Sequence, residues 1–535
     1  MNFKILVLFS YLMLTLVIGF IFLKVSKRNS VEFFLAGRKL KNVLLFFTLA
    51  ATNFSAFTIF GFSGAGYRIG YAFYPVMGFG TGFMALSFFI IGEKIMTLSK
   101  TRNYITPSDF IMDRYNSPFL KYLFSSIMIV FTLPYIAIQA ISAGKSLNAF
   151  TGLPYFEGAV LITAFVVIYV SNGGLRSIVW TDLIQGLMMI SFTAIAFSIV
   201  IHKSGGIIKV HESINNNFPE LMGRPGSGNV MKPGIWLGYM LLWLFANPMF
   251  PQLFQRFIAA DSKKDLRTAM ILYPIITTSL FFITVSIGVI GRYCFGELPK
   301  NLSDSIFSLL LSKYTTPIIG SVLFTGSIAA LMSTMDSQLL TLTSMISLDF
   351  TKIKQNEVPK EKIILITLGI IGLLISYKPP TTILNFISKT TFNGLSVLSP
   401  TVIAGLYWKK ANKYGAIASI LIGEIMVTLY YLGIIKTPNI HPFIIILLLT
   451  ASLLFLVSYF TRSKNENKSI VFEVNRKVLP WAIVFIIIFI LANDFWNWGK
   501  EPVIYFGLPG WIWYYFLLGG LLSMLYLLFS RWIKT

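Results

Sequence analysis

The sequence predicts an all-α protein that crosses a membrane many times. Its 535 residues are 55% hydrophobic and 12% charged, and the mean hydropathy is +0.74. Apolar runs of about 20 residues, enough to cross roughly 30 Å of hydrocarbon at about 1.5 Å per residue, recur along the whole chain. We expect about 13 to 15 transmembrane helices and no soluble domain. The predicted spans are residues 3–23, 43–67, 71–97, 119–144, 156–171, 179–201, 235–255, 270–291, 317–350, 363–377, 383–407, 414–435, 441–460, 479–495 and 509–530.

The distribution of basic residues predicts the orientation of these spans. The chain carries 44 Lys and Arg residues and a formal net charge of +23. If the N-terminus lies outside, the cytoplasmic loops, including "RFIAADSKKDLR", hold more than twice as many basic residues as the opposite loops. This bias is the positive-inside rule, so the charge indicates topology and anionic lipid headgroups rather than a nucleic-acid partner. We therefore expect a multi-pass protein of the cell membrane with its N-terminus outside and its C-terminus in the cytoplasm.

A first polar segment interrupts the second span. The stretch "LAATNFSAFTIFGFSGAG" carries an asparagine, hydroxyl residues and glycines at membrane depth, where unsatisfied backbone groups are tolerated only beside a protein-lined cavity. If the helix unwinds there, the carbonyls of Ala51 and Phe54 are free to coordinate a cation, and Asn53, Ser55 and Thr58 can face a solute. The alternative is a glycine-rich surface that packs closely against a neighbouring helix.

A second polar segment, "GSIAALMSTMDSQLLTLTSMISLD", lies in the ninth span. Ala330, Ser333, Thr334 and Ser337 are spaced to share one helix face. Two adjacent hydroxyls with a carbonyl one turn earlier provide hard oxygen ligands, the type suited to an alkali or other hard cation. The alternative is that these hydroxyls bond to their own helix and only pack. Asp336 argues against that alternative, because a carboxylate at this depth needs a partner, a proton or a cation.

A third segment, "YVSNGGLRSIVWTDLIQGL", joins the fifth and sixth spans through a Gly-Gly turn. Asp182 falls just inside the sixth span, where it is a candidate for a second cation ligand or a gate residue. The alternative is a helix cap, since Asp182 and Gln185 have the spacing of a capping box.

A second helix break is predicted in the seventh span, where Pro248 and Pro251 follow an asparagine. Two broken helices, each first in a group of five spans, indicate an inverted-repeat transporter core, although the two halves show no clear sequence repeat. Four further polar residues at membrane depth are candidates to line a pathway: Gln139, Trp243, Asn247 and Lys389. For Gln139 and Lys389 the alternatives are an interhelical hydrogen bond and interfacial snorkelling.

This pattern predicts five consecutive regions. Two five-helix repeats are separated by an extracellular loop, preceded by one helix and followed by additional helices. The predicted limits are 1–41 for the first helix and its cytoplasmic loop, 42–201 for the first repeat, 202–234 for the extracellular loop, 235–410 for the second repeat and 411–535 for the C-terminal helices.

The residues that usually carry chemistry argue against an enzyme and against a resident cofactor. One cysteine, Cys294, and three histidines exclude an internal disulfide and a Cys-based metal cluster. They also offer little toward a convergent set of acid, base and nucleophile. A channel would need a continuous polar lining, whereas the polar residues here cluster near two helix breaks.

The chain resembles the sodium:solute symporter family, which includes the sodium-coupled sugar, proline, pantothenate and sialic-acid transporters. The likeness extends from about Leu6 to Trp408 and is carried by five motifs in the order of the family. These motifs are "FFLAGRKL", "AATNFSAFTIFGFSGAGYRIG", "NGGLRSIVWTDLIQG", "LFQRFIAADS" and "STMDSQLL" followed by "SLDF". The resemblance implies a ten-helix inverted-repeat core, here spans two to eleven. Members often have thirteen or fourteen helices, fewer than the number of spans that we place.

The resemblance also implies sodium sites. One ion lies between the first and eighth core helices, and its ligands here would be the carbonyls of Ala51, Phe54 and Ala330 and the hydroxyls of Ser333 and Thr334. Some members hold a further sodium nearer the cytoplasm, and the matching residues are Asp182, Ser333, Asp336 and Ser337. Because Asp336 replaces a hydroxyl there, this second site suits either a sodium ion or a proton.

For the solute, the resemblance indicates a small monocarboxylate, an amino acid such as proline, or pantothenate. Sialic-acid transporters pair the substrate carboxylate with an arginine whose matching position here is Tyr135, which argues against that substrate. The apolar surroundings of Asn53 offer few polar groups for a sugar. The predicted solute-facing residues are Asn53, Ser55, Thr58, Tyr135, Gln139, Trp243 and Asn247.

The expected function is therefore secondary active symport of that solute by alternating access, with Na⁺ as the coupling ion. A proton-coupled transporter of the same fold and a non-transporting membrane sensor are the alternatives. The expected partners are the solute, the sodium ion and the lipid bilayer, with neither nucleic acid nor a required protein partner.

Overall fold

The computed structural model describes residues 3–21, 30–351, 358–379, 382–461 and 466–533. This part of the chain is almost entirely helical, as the hydropathy pattern predicts. The helices of its first half are α1 (Phe3–Ile21), α2 (Ser30–Leu35), α3 (Asn42–Asn53), α4 (Phe57–Ile69), α5 (Tyr71–Arg102), α6 (Pro107–Tyr115), α7 (Pro118–Thr151), α8 (Tyr155–Lys203) and α9 (Ile207–Asn217).

The second half of the described chain contains eleven longer helices, several short 3-10 turns and one small hairpin. The helices are α10 (Pro233–Ala246), α11 (Pro251–Ala259), α12 (Lys263–Phe295), α13 (Ile306–Tyr314), α14 (Pro317–Phe350), α15 (Val358–Ser376), α16 (the segments Ile383–Ile387, Ser388–Phe392, Asn393–Ser396 and Ser399–Tyr407), α17 (Lys413–Tyr431), α18 (Pro442–Phe460), α19 (Leu479–Leu491) and α20 (Gly510–Trp532). Strands β1 (Ile504–Tyr505) and β2 (Leu508–Pro509) pair antiparallel just before α20.

Ten helices in the described part of the chain are long and apolar enough to cross a membrane, or up to eleven if α3 and α4 count as one bent span. The helix α8 covers two predicted spans, and the non-helical residue Gly174 (φ 57°, ψ −159°) divides it. The predicted spans 235–255, 363–377 and 383–407 fall on α10 with α11, on α15 and on α16. The fold class is thus confirmed, whereas the division into two repeats and the orientation stay predictions.

The two predicted helix breaks are present. Helices α3 and α4 are bent by 57°, and Phe54 between them is extended (φ −87°, ψ 91°). Helix α10 ends before the turn Asn247–Met249, and Phe250 is extended (φ −62°, ψ 123°). Pro251 then opens α11, because a proline at the first helical position lacks an N–H that would have no helical partner.

The C-terminal helix α20 packs against α5 and α12. Gly519 lies so close to Thr278 that a Cβ at the glycine would clash with the threonine hydroxyl oxygen. Tyr526 donates its hydroxyl hydrogen to the Phe83 carbonyl (3.0 Å). The additional C-terminal helices are therefore part of the packed bundle.

A buried ion pair joins the loop before α10 to the segment between α19 and α20. The guanidinium of Arg224 lies 2.9 Å from the carboxylate of Asp494, and both side chains are buried. The guanidinium also lies 5.5 Å and 5.1 Å from the ring centres of Trp498 and Trp511. Trp511 donates its indole N–H to the Met222 carbonyl (3.2 Å). The loop is thus attached to the C-terminal helices by charge, ring and hydrogen-bond contacts.

We expect Asp494→Asn to lower the free energy of unfolding by about 3–5 kcal/mol, because the charge of Arg224 would stay buried without its counter-charge. Thermal unfolding of the purified protein measures the loss. The matched control is Glu297→Gln, which removes a pair with Arg292 whose glutamate is 84% exposed. That change should cost no more than about 1 kcal/mol, and similar losses in the two variants would contradict the structural role of the buried pair.

Candidate functional site

The break between α3 and α4 lies against the middle of α14. Ser333 is within hydrogen-bond distance of the carbonyls of Ala51 (3.0 Å) and Ala330 (3.1 Å). Thr334 donates its hydroxyl hydrogen to the Thr52 carbonyl (3.1 Å). The structure thus gathers three carbonyl and two hydroxyl oxygens from buried residues into one oxygen cluster. Four of the five predicted sodium ligands belong to it, and Thr52 is an additional member.

The fifth predicted ligand, Phe54, ends α3. Its backbone N–H donates to the Ala50 carbonyl (2.8 Å), and its ring packs against Tyr273 and Phe281. A role for its own carbonyl stays a prediction. The oxygen cluster lies at the carboxyl end of α3, where the helix dipole is negative, so its hard and uncharged ligands suit a monovalent cation such as sodium.

A second polar cluster surrounds the buried guanidinium of Arg256, one turn further along α14. Arg256 donates to the hydroxyls of Ser337 (2.5 Å) and Thr48 (3.0 Å), and it lies 3.7 Å from Asp182. Thr48 donates in turn to Asp182 (2.5 Å). The cluster joins α3, α8, α11 and α14. Two residues of the predicted second cation site, Asp182 and Ser337, are thus linked by a positive charge that belongs to the chain itself.

Asp336, another residue predicted for that site, has a hydrogen-bond partner outside the Arg256 cluster. It accepts a hydrogen bond from Tyr169 of α8 (2.5 Å). One carboxylate oxygen of Asp336 and one of Asp182 have no hydrogen-bond partner among the described residues. Asp182 lies inside continuous helix, and Gln185 donates to Tyr11 (2.9 Å), so the helix-cap interpretation of this pair is wrong.

Arg256 is the residue of this region that the sequence analysis missed. The predicted span ended at residue 255 and left Arg256 in a cytoplasmic loop with the lysines that follow. In the structure α11 continues to Ala259, and the Arg256 side chain is fully buried. The loop assignment is therefore wrong for this residue. The sequence did contain a signal for this burial, because Arg256 directly follows an apolar span. An arginine that extends such a span into the membrane needs a carboxylate partner there.

A small cavity adjoins the broken helix on the side of α10. Its lining residues are Asn53, Phe57, Thr58, Phe62, Met77, Thr81, Tyr135, Trp243, Asn247, Phe250, Phe281 and Phe392. Its volume is about 10 Å³, room for about one water molecule, so a solute enters only after side chains move. Five of the seven predicted solute-facing residues line it, and one of them, Asn53, donates to the hydroxyl of Tyr273 (2.9 Å).

The other two predicted solute-facing residues, Ser55 and Gln139, stabilise the break instead of lining the cavity. Gln139 accepts a hydrogen bond from the backbone N–H of Ala56 (3.1 Å). Ser55 accepts from the backbone N–H of Phe57 (3.1 Å) and from the hydroxyl of Tyr135 (3.1 Å). For Gln139 the structure therefore shows the interhelical hydrogen bond that was the alternative. The side chain of Lys389 lies outside the described residues.

The cavity wall is apolar apart from a few polar atoms. The hydroxyl of Thr81, the indole N–H of Trp243 and the side-chain oxygen of Asn247 are buried without a hydrogen-bond partner among the described residues. The lining contains no charged side chain. Because buried polar atoms are normally paired, these atoms are available to a bound solute. Thr81 was not predicted, since one threonine in a glycine-rich helix gives no sequence signal.

A larger vestibule of about 570 Å³ lies next to this cavity. It reaches Phe73 and Tyr239, whose rings pack against Phe62 and Trp243 of the cavity wall with centroid distances of 5.3 Å and 6.4 Å. One layer of aromatic side chains therefore separates the vestibule from the cavity.

Sequence comparison places the chain among sodium-coupled transporters. The model of the sodium:solute symporter family matches residues 33–423. The chain is 28% identical over 435 residues to the sodium/pantothenate symporter of Escherichia coli (strain K12). This alignment covers 80% of this chain and 89% of that relative. It is 26% identical over 416 residues to the high-affinity proline transporter PutP of Bacillus subtilis (strain 168). That alignment covers 75% of this chain and 87% of the relative.

Solved structures share the fold. A sodium-coupled sialic acid symporter in a substrate-bound outward-open state matches with a TM-score of 0.72 at 18% identity, over 87% of this chain and 99% of that one. A nucleobase-cation-symport-1 family transporter matches with a TM-score of 0.54 at 13% identity, over 82% of this chain and 97% of that one. With the family match across most of its length, the chain belongs to the sodium:solute symporter family.

Proposed function

We propose that this protein is a sodium-coupled symporter that imports a small organic solute by alternating access. The observation that carries the proposal is that the broken helix contributes to both the oxygen cluster and the solute cavity. Ala51 and Thr52 contribute carbonyls to the oxygen cluster, and Asn53 and Thr58 line the cavity a few residues later. An ion that orders this segment therefore also orders the solute site.

The oxygen cluster explains how ion and solute binding are coupled. On sodium binding, the hydroxyl hydrogens of Ser333 and Thr334 turn away from the carbonyls, and the hydroxyl and carbonyl oxygens face the ion together. The ion then joins α3 to α14. Because the coupling free energy between two ligands is reciprocal, sodium tightens solute binding as much as the solute tightens sodium binding. Sodium release to the cytoplasm separates the two helices and frees the solute.

One sodium ion supplies enough free energy to accumulate a neutral solute. An inward-moving charge gains about 2.3 kcal/mol per 100 mV of membrane potential. A roughly tenfold sodium gradient adds about 1.4 kcal/mol. Together these terms support an accumulation of roughly several-hundredfold.

The solute that we propose is a small monocarboxylate, an amino acid such as proline, or pantothenate, rather than a sugar. The cavity offers few free polar atoms, and each sugar hydroxyl buried without a partner would weaken binding. With no charged side chain in the lining, the sodium ion supplies the positive charge for a solute carboxylate. Relatives named for pantothenate and proline support the same choice.

The carboxylates near Arg256 make proton-coupled transport the second candidate. Asp182 and Asp336 each keep a carboxylate oxygen without a partner among the described residues. A second sodium ion or a proton at these oxygens, close to Ser337, would balance the two carboxylates against the single guanidinium.

We expect Ser333→Ala and Thr334→Ala each to weaken the apparent sodium affinity of solute uptake by about tenfold or more, because each removes a proposed ligand. Uptake into proteoliposomes at varied sodium concentration measures this. Ser327→Ala and Thr343→Ala are matched controls, since within the described part of the chain these α14 hydroxyls donate only to carbonyls of their own helix. Unchanged sodium dependence in the first pair, or equal losses in both pairs, would contradict the site.

We expect Arg256→Gln to lower the free energy of unfolding by about 3–5 kcal/mol, because Asp182 would stay buried without its counter-charge. The double variant Asp182→Asn/Arg256→Gln should recover more than half of that loss, since it removes both charges. Thermal unfolding of wild type, both single variants and the double variant forms the cycle. Additive losses would show that the two groups do not interact at their 3.7 Å separation.

The identity of the solute and of the coupling ion is tested by thermal unfolding in sodium or choline buffer. The panel contains monocarboxylates, proline and other amino acids, pantothenate and sugars. We expect one non-sugar class to raise the unfolding temperature only in sodium, by an amount equivalent to about 2.7 kcal/mol at a ligand concentration 100 times its Kd. A solute shift that is equal in choline and depends on pH would favour proton coupling. No shift with any solute in folded protein would contradict transport of these classes.

A further inference from the structure

A groove outside the transport site runs between α5, α10, α19 and α20. Its volume is about 310 Å³, within the size range of small-molecule sites. All of its lining side chains are apolar, among them Ala482 and the phenylalanines Phe83, Phe89, Phe485, Phe489 and Phe529. Ile486 is 58% exposed, so the groove is open to the bilayer along α19.

The groove exists because α19 makes only a narrow contact with the bundle. Of its thirteen residues only Phe485 and Ile488 are buried. Phe489 and Phe485 reach across to Phe83 of α5 and Phe529 of α20, with ring centroids 5.2 Å and 5.3 Å apart. Between these contacts the helices leave space that no described side chain fills. In a bilayer such a space is filled by lipid chains, which are as apolar as its walls.

One end of the groove carries basic side chains. The ammonium of Lys94 lies 5.4 Å from the ring centre of Phe89, a lining residue, and 5.2 Å from that of Phe472. Lys94 makes no ion pair with a carboxylate in the part of the chain that the structure describes. Arg476 lies two residues before the lining residue Val478, and Arg531 lies two residues after Phe529; both arginines are exposed. The positive-inside rule places this end at the cytoplasmic surface.

The acidic residue next to Lys94 in the sequence is already engaged. Glu93 binds Arg267 through two hydrogen bonds of 2.5 Å and 3.2 Å, and the Arg267 guanidinium lies 5.8 Å from the ring centre of Phe89. The end of the groove therefore keeps a net positive charge contributed by Lys94, Arg476 and Arg531.

We propose that this groove binds an anionic phospholipid of the cytoplasmic leaflet. Its acyl chain lies in the apolar groove, and its phosphate lies at the end formed by Lys94, Arg476 and Arg531. A helix of another protein or of a second copy would fill the groove but would not need the basic end. A zwitterionic lipid would gain less from it, since each basic side chain near the surface contributes to the binding of anionic lipid.

The position of the groove links this lipid to transport. Leu241 and Leu244 line the groove from α10, and Trp243 between them lines the solute cavity. A lipid in the groove thus supports the helix that carries one wall of the cavity. We expect anionic lipid to stabilise the protein and to raise its uptake rate.

The test uses the full-length protein in detergent or nanodiscs, titrated with phosphatidylglycerol or phosphatidylcholine. Native mass spectrometry counts retained lipids, and thermal unfolding reports stabilisation. We expect wild type to retain phosphatidylglycerol in preference to phosphatidylcholine. Lys94→Gln/Arg476→Gln should weaken phosphatidylglycerol binding by about fivefold for each charge removed. Lys410→Gln is the matched control, because Lys410 also lies over an aromatic ring, that of Tyr459, at 5.8 Å.

A second pair of variants separates the groove from its basic end. Ala482→Trp fills the groove and should abolish retention of the lipid without destabilising the protein in phosphatidylcholine. Ile487→Trp, on the exposed face of α19 outside the groove, should leave retention unchanged. Equal retention of both lipids by wild type would overturn the proposal, as would retention that survives Ala482→Trp. Conversion of a wild-type dimer into a monomer by Ala482→Trp would also overturn it, because the groove would then hold a second copy.

Discussion

The backbone of a helix that breaks inside a membrane must find its hydrogen-bond partners within the protein, and the break between α3 and α4 is built on this constraint. The amide of Gln139 and the hydroxyl of Ser55 accept the N–H groups at the start of α4. The hydroxyls of Ser333 and Thr334 donate to carbonyls at the end of α3. These side chains form hydrogen bonds with the backbone at the break when no ligand is bound. They are therefore also the groups that are placed to contact a ligand. In the proposed sodium site the hydroxyl hydrogens turn away from the carbonyls, and a cation binds at little cost because the oxygens are already in place.

Buried charges must also find partners within the protein, and leaving them unpaired costs more free energy than leaving a backbone group unpaired. Asp349, near the end of α14, is fully engaged, accepting hydrogen bonds from Ser108 and Ser125 at 2.7 Å and lying 3.1 Å from Lys121. Asp182 and Asp336 differ, because each keeps one oxygen without a described partner. A fully paired carboxylate is a structural anchor, whereas a partly paired one retains capacity for a cation or a proton. This difference separates the Arg256 cluster from the anchor around Asp349.

The part of the chain beyond the family match also shapes the transporter. Residues 33–423 match the family model, yet α20 packs on two helices of that region and the loop before α10 is held by Asp494. The same C-terminal helices form one wall of the apolar groove. Helices outside the matched region therefore restrain α5, α10 and α12, which surround the solute cavity and its vestibule.

The sequence by itself determined the features that depend on local composition. Apolar length specified the membrane helices, and glycine, proline and small polar residues specified where α3–α4 and α10–α11 break. Helical spacing placed Ser333 and Thr334 on one face of α14. Each of these follows from a short stretch of chain, because hydropathy, backbone breaking and helix periodicity act over a few residues.

Only the tertiary structure decided which side chains meet. It placed Arg256, predicted as a loop residue, at the centre of a buried cluster, and it paired Asp336 with Tyr169. It also bonded Gln139 to the backbone instead of placing it in the cavity lining. It also assembled the aromatic cavity wall and the groove from helices that are distant in sequence. Such contacts depend on how each helix is rotated about its axis and shifted along it relative to its neighbours. The local sequence pattern around a residue therefore does not indicate a partner that lies hundreds of residues away. The sequence therefore predicts which polar residues lie at membrane depth, whereas the fold determines which of them pair with one another.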